Sequence, residues 1–257
     1  MTLWMLRLPL NPSALARYAA ERGWMHRRGH DEGRALHHLL TETFGKTDAG
    51  KSAFQPFRLL TGPRGSSLYG YSTVDPKALR ETAQAIAPPE ALALLPLSHM
   101  DAKPMPQTWR AGQMLGFDLR TRPVMRLHSD IPPQEDPLGR GLRKGAEVDA
   151  FVAAQLRGQG EATREQVYLG WLAARLAPAA ELLAESTRLH RFQRGDVLRN
   201  GLSEGPDVIF HGTLRVTDPV AFAGLLSRGV GRHCAYGFGM LLLRAPQPAP
   251  QSAPQEA

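Results

Sequence analysis

The sequence predicts an α+β protein made of two similar βαββαβ halves. Three observations predict it. Short runs with alternating apolar residues, such as Leu6, Leu8 and Leu10 and again Leu115, Phe117 and Leu119, interleave with runs at helical spacing. The order strand, helix, hairpin, helix occurs once in each half. In each half the later helix opens on Asp-Pro, at Asp75-Pro76 and at Asp218-Pro219. The repeat is one of element order and not of residues. Two ferredoxin-like (RRM-like) modules in tandem account for it, a topology that many RNA binders share with unrelated proteins.

Each element has its own signal. Residues 3–10 read as a first strand, and "NPSALARYAAERGWM" as a helix capped near Asn11 or Ser13. From Asp31 a helix is expected, with Ala35, Leu36, Leu39, Leu40 and Phe44 on one face and Gly45 as its stop. "FRLLTGPRGSSLYGYS" reads as a hairpin around Gly-Pro-Arg-Gly, and "DPKALRETAQAIAP" as a helix ended by Pro88-Pro89. Residues 101–110 read as a Pro-rich connection. A strand is then expected in "GQMLGFDLRTRPVMRL" and a loop in "HSDIPPQEDPLGRGLRKG". "EVDAFVAAQLRGQG" and "TREQVYLGWLAARLAP" read as helices, the second capped by Thr163. Strands are expected at 187–199 and 207–217, separated by "NGLSEGP". A helix over "DPVAFAGLLSRG" and a last strand at the end of "HCAYGFGMLLLRAP" complete the half. The expected units are residues 1–105 and 110–246. Residues 247–257 form a low-complexity tail that cannot bury a core.

Composition narrows the function classes. The chain has 257 residues, 42% of them hydrophobic, which supports a sizeable core. A net charge of +7 favours polyanionic partners. No apolar run approaches the roughly 20 residues needed to span a bilayer. Arg7 interrupts the N-terminal apolar run, so no signal peptide and no membrane partner are expected. The single cysteine, Cys234, excludes an internal disulfide and a Cys-rich metal site. The expected location is cytoplasmic.

Three stretches could carry chemistry. "WMHRRGHDEGRALHHLL" places His26, His30, His37 and His38 beside Arg27, Arg28 and Arg34. His26 and His30 have the i, i+4 spacing of a helical zinc pair. The Glu of an H-E-x-x-H motif is absent, however, and the arginines would repel a dication. In a cationic setting an imidazole can move a proton near neutral pH. A polar surface explains the same spacing. The second stretch, "RGVGRHCAYGFG", sets Gly229, Gly231, Gly237 and Gly239 around Arg232 and His233. Its amides could cradle a phosphate, or it could be a tight turn. It follows a helix and leads into a strand, which is the wrong context for a dinucleotide fold. The third, "RLHRFQRGDVLRN", carries Arg188, Arg191, Arg194 and Arg199 with His190 and Phe192. Arginines there suit phosphate and base-edge contacts, or they guard a solvated edge strand.

Together these pieces resemble the CRISPR-associated endoribonuclease CasE (Cse) family, the pre-crRNA processing subunit of the type I-E Cascade complex. The resemblance covers about residues 3–245. It is carried by the strand ending in "LNP", by "MHR" at 25–27, and by "GQMLGFDLRTRPVMRL" and "REQVYLGWLAARL". "FHGTLRVTDPVAFAGLLSRGVGRHCAYGFGMLLL" is its most specific part. The resemblance implies two tandem ferredoxin-like domains that bind the stem-loop of the CRISPR repeat. It also implies a cut at the 3′ base of the stem that uses neither metal nor other cofactor. The upstream 2′-OH attacks the phosphate and leaves a 2′,3′-cyclic phosphate and a 5′-OH. The product stays bound, and the protein, a monomer alone, is expected as one copy in Cascade beside the other subunits.

By its place in "MHR", His26 matches the family's catalytic histidine, and the hairpin at 188–199 matches the region that enters the RNA groove. Family members often have a tyrosine three residues before the histidine, where this chain has Gly23. Some have a lysine five residues after it, where this chain has Asp31. Arg27, Arg28, His30 and Arg34 are the local candidates to steady the phosphate or the leaving oxygen, with His30 and Arg34 ahead of Tyr18. Arg27, Arg28, Arg188, Arg191, Arg194, Arg199, Gly229, Gly231, Arg232, His233, Gly237 and Gly239 are the expected RNA contacts. Two competing functions are a non-catalytic crRNA-binding subunit and a metal-dependent hydrolase built on His26, His30 and Asp31 or Glu32.

Overall fold

A computed structural model of the chain describes residues 2–26, 29–47, 50–63, 65–132, 141–157, 161–198 and 202–246. The expected tail at 247–257 lies outside them. The first half runs β1 (Trp4–Pro9), α1 (Pro12–Glu21), β2 (Met25–His26), β3 (Gly29–His30) and α2 (Glu32–Phe44). It continues with β4 (Phe57–Gly62), β5 (Gly65–Ser72), α3 (Pro76–Ile86), α4 (Pro89–Leu94) and β6 (Asp101–Pro104). Its sheet has the order β4-β5-β1-β6, with every neighbouring pair antiparallel. The second half runs β7 (Met114–Thr121), β8 (Val124–Arg126), β9 (Glu147–Asp149), α5 (Ala150–Leu156), α6 (Arg164–Leu176), β10 (Ala180–Leu198), β11 (Leu202–Val216), α7 (Pro219–Arg228) and β12 (Leu241–Arg244). Its sheet order, β10-β11-β7-β12, repeats that of the first. Counting only the four sheet strands of each half, both orders read second, third, first, fourth, the ferredoxin-like arrangement.

Local chemistry fixes the helix ends. Asn11, Asp75 and Asp218 accept from first-turn amides, each followed by a proline whose missing N–H costs nothing there. Thr163 and Gln166 form a reciprocal capping box on α6. Each sheet buries one face under its helices. Leu6, Leu8, Leu36, Leu39 and Phe57 form the first core, and Phe117, Leu119, Tyr168, Leu172 and Phe222 the second. Truncating any one of these leucines to alanine costs about 2–5 kcal/mol. Among the described residues no helix is long and apolar enough to cross a membrane.

Several elements depart from the sequence reading. β11 begins at Leu202, inside the expected separator "NGLSEGP", because the chain there pairs with β10, and Glu147–Asp149, expected as the start of a helix, pairs with β8 as β9. Residues 101–104 are an edge strand, not a connection. All four are exposed, so no alternation marks them, and backbone pairing to β1 alone makes the strand. The stretch after Pro88 continues as α4, because a proline at the first helical position is favourable. β10 begins at Ala180, well before 187, although "AELLAES" is rich in helix formers. Register shifts between Leu183 and Arg188 and between Leu189 and Arg191 let this long strand bend.

The halves share contacts. Tyr71 of β5 is buried in the second core, and its hydroxyl donates to the Leu241 carbonyl at 2.9 Å. Arg58 of β4, 4% exposed, forms an ion pair with Asp118 of β7.

Candidate nucleic-acid interface and cleavage site

The histidine-rich segment is not one helix. Met25 pairs with His30 and His26 with Gly29 in a two-strand hairpin, so His26 and His30 lack the helical i, i+4 relation. The two positions that depart from the family pattern both have structural duties. Gly23 has φ +70° and donates to the Ala20 carbonyl, while Trp24 donates to Ala19, a Schellman closure of α1. Asp31 caps α2 by accepting from the Arg34 amide at 2.9 Å. Trp24 is packed between Tyr18 and His38, with the His38 ring stacked on it at 4.5 Å and the Arg34 guanidinium 5.1 Å from the ring centre. His37 packs on Tyr236 at 5.1 Å. Burial lowers the pKa of His37 and His38. The Tyr18 hydroxyl is buried and donates to Glu42 at 2.8 Å. The His30 Nε2 is buried with no hydrogen-bond partner among the described residues. Arg27 and Arg28 lie outside those residues.

The glycine-rich loop is stitched rather than open. Gly229 ends α7 and donates to Leu225, Val230 donates to Gly239, and Gly239 donates to Arg120 of β7. The amides of Gly229 and Gly239 are therefore engaged inside the protein and do not face a phosphate. Gly237 is buried and Gly231 is exposed. Arg232 Nε and His233 Nε2 lie 2.5 and 2.6 Å from the two oxygens of Glu147 at the start of β9. Burial opposes ionisation of Glu147. The His233 and Arg232 contacts outweigh it and hold the carboxyl at about 2.

These two segments meet. The first turn of α2 lies so close to the loop that a Cβ on Gly33 would stand 2.7 Å from the Tyr236 carbonyl oxygen. Beside this contact Glu32 approaches Arg120 at 3.4 Å. Arg120 grips Asp207 with two bonds of 3.0 and 2.8 Å, and Gln193 also donates to Asp207 at 2.8 Å. Two residues back along β7, Asp118 takes both Arg58 and, at 3.1 Å, His211, on which His190 stacks at 4.1 Å. A polar network thus runs from the start of α2 across the face of the second sheet opposite its core to β10. Sequence reasoning missed Arg120, Asp207, Asp118, His211 and Tyr236. The signal for two of them was in "FDLR", where Asp118 and Arg120 alternate with core-facing Phe117 and Leu119.

On β10, Arg191 is exposed, Arg188 bonds local carbonyls, and Arg194 makes a surface ion pair with Glu204 at 3.3 Å. Phe192, 38% exposed, lies under the Arg164 guanidinium at 4.5 Å. β10 is the edge strand of the second sheet, and α6 meets it where the Leu189 amide donates to Glu165 at 2.9 Å. Arg199 lies outside the described residues. Among those residues no cluster of three or more His, Cys, Asp or Glu is placed to hold a metal ion.

A family model described as CRISPR associated protein matches residues 3–245. A comparison with curated proteins finds no match. Several solved structures share the fold. Thermus thermophilus Cse3, bound to an RNA representing a pre-cleavage complex, is 21% identical with a TM-score of 0.61, over 95% of this chain and 100% of that one. CRISPR endoribonuclease Cse3 bound to a 19 nt RNA is 22% identical with a TM-score of 0.60, over 96% and 100%. A chain of a CRISPR RNA-guided surveillance complex is 16% identical with a TM-score of 0.53, over 94% and 99%.

Proposed function

The chain belongs to the CRISPR associated protein family, and from that premise we propose that it is the Cascade endoribonuclease that binds the CRISPR repeat stem-loop and cuts at the 3′ base of the stem. The observation that carries the reading is the meeting of the histidine segment, the glycine-rich loop and the charged sheet face across two ferredoxin-like halves. The division into units 1–105 and 110–246 goes with it. His26 moves the proton of the upstream 2′-OH or of the departing 5′-oxygen. His30 and Arg34 assist, with Arg27 and Arg28 drawing in the phosphate whose developing charge needs cations. Arg188, Arg191, Arg194 and Arg199 of the hairpin hold the stem, and Arg232 and His233 with Gly229, Gly231, Gly237 and Gly239 form the loop beside it. The products are a 2′,3′-cyclic phosphate and a 5′-OH. The protein acts in the cytoplasm, a monomer alone, and stays with its crRNA as one copy per complex.

A second reading, a crRNA-binding subunit that cuts nothing, is favoured by one observation. The positions where relatives carry tyrosine and lysine are Gly23 and Asp31, both held in structural roles. One experiment separates the two. Purified protein is mixed with labelled repeat RNA in excess EDTA, wild type beside His26→Ala. Wild type is expected to cut once and keep its product. The variant is expected to cut about 10²–10⁴-fold more slowly while binding persists. Binding without cutting by wild type moves the assignment to the second reading. A cut that returns only with added metal overturns the mechanism.

A further inference from the structure

A cleft of about 680 Å³ opens where the C-terminal ends of α6 and α7 converge beside β8. Gly229, Gly231 and Arg232 of the glycine-rich loop form part of its wall. Lys51, Arg126, Arg175, Arg228 and Arg232 line it, with His128 and, among the described residues, no acidic one. Arg232 is neutralised by Glu147. Lys51, Arg126, Arg175 and Arg228 are exposed and make no ion pair with an acid among the described residues.

Helix electrostatics account for only part of this. Each helix C-terminus carries roughly −0.5 charge, so last-turn arginines such as Arg175 and Arg228 are expected there whatever the function. The two helix ends together contribute about −1. The four unneutralised cations exceed that several-fold. Two of them, Arg126 on β8 and Lys51 from the first half, belong to neither helix. Cations drawn from three elements and two halves into one concavity, with no carboxylate lining it among the described residues, make a polyanion site.

The walls also say which polyanion. Apart from the exposed imidazole of His128, no aromatic ring lines the cleft among the described residues. Trp171, nearest the cleft, is 8% exposed, and its Nε1 donates to the Val124 carbonyl at 3.1 Å. Cations without base-reading partners contact phosphates and not sequence. A duplex presents its phosphates on a convex surface, whereas a concavity closed by two helix ends admits a single strand. The cleft and the place where α2 meets Tyr236 share the glycine-rich loop. We infer that it holds the backbone of the single-stranded RNA flanking the repeat stem, in sequence-independent contact. The assignment of that strand to the repeat flank rests on the function proposed above. The single-strand site itself rests on the cleft.

The test uses Lys51→Gln/Arg126→Gln, which leaves both helix ends intact, beside Arg126→Gln/Arg175→Gln/Arg228→Gln. Binding is measured against salt for three RNAs: the bare repeat stem-loop, the stem-loop with its single-stranded flank, and oligouridine. Wild type is expected to bind the flanked RNA more tightly than the bare one. In the double variant that gain is expected to fall about tenfold, and the salt slope by about 0.7 per lost contact, with bare stem-loop binding and melting temperature unchanged. An equal gain from the flank in wild type and both variants overturns the inference, and so does a cleft that takes polyglutamate in preference to oligouridine. If wild type ignores the stem-loop but binds oligouridine through these charges, the repeat-processing reading fails and the single-strand site stands. If EDTA-resistant cutting persists while oligouridine binding ignores the charges, the reverse holds.

Discussion

At the residue scale, Gly23 and Asp31, where the resemblance implies a tyrosine and a lysine, each hold a helix end beside the catalytic candidate. A side chain at Gly23 would have to adopt φ +70°, at a cost of roughly 1–2 kcal/mol. Asp31→Lys would remove the cap of α2 and place a positive charge at the positive end of its dipole, costing about 1 kcal/mol or somewhat more. For a chain of this size that is expected to lower the melting temperature by about 2–4 °C. Calorimetry beside the cleavage assay checks it. A lysine that restores or raises cutting without lowering stability would show that the cap is dispensable and the family lysine is not. Gly23, Asp31 and their neighbours were legible as departures from a pattern. Their structural duties were not, because a Schellman closure and an N-cap depend on where the helices end, and ends are the least certain part of a sequence reading.

At the element scale, the glycine-rich loop is held by Glu147, which comes from β9, some 85 residues earlier in the chain. The histidine and arginine it binds were visible as a basic pair, but nothing in "KGAEVDA" marks Glu147 as their partner. Strands with alternation and helices with caps were readable for the same reason that β6 and the start of β10 were not. The former bury a face and leave a period. β6 buries nothing, and β10 begins in residues whose intrinsic preference is helical and is overridden by pairing with β11. The Glu147 lock has a pH signature. Its carboxyl titrates at about 2 in the folded protein, below its ordinary 4.5, so the folded state binds fewer protons there than the unfolded. The stability this group contributes is fully present above 4.5 and is lost as pH falls from there to about 2. The difference in melting temperature between wild type and Glu147→Gln is therefore expected to be constant near neutrality and to shrink across that acid window. A difference independent of pH would show that the bond, and not the charge, holds the loop.

At the scale of the whole molecule, the proposed reaction asks two separately built halves to hold one geometry. The histidine segment belongs to the first core and the loop, sheet face and hairpin to the second, and a displacement near 1 Å in a catalytic constellation can cost about 10²-fold. The joint is made by Tyr71, seated in the other half's core, by Glu32 against Arg120, and by Arg58 against Asp118. Of these the last is the most exacting, since Arg58 is 4% exposed and a guanidinium so buried depends on its partner. Arg58→Ala is expected to cost about 2–4 kcal/mol, toward the lower end because Asp118, 25% exposed, keeps some water and His211. Asp118→Ala is expected to cost at least as much, because it strands the buried guanidinium. The double variant is then expected to fall short of their sum by about 1–3 kcal/mol, as coupled residues do. Denaturant titration of the four proteins measures that coupling. The same four in the cleavage assay show whether the joint serves only stability: if it aligns the site, each single variant already cuts slowly under conditions where it is fully folded, and the double variant cuts no faster. Full cutting rates in the folded variants would mean that alignment is set elsewhere, by Tyr71 and the contact of α2 with the loop.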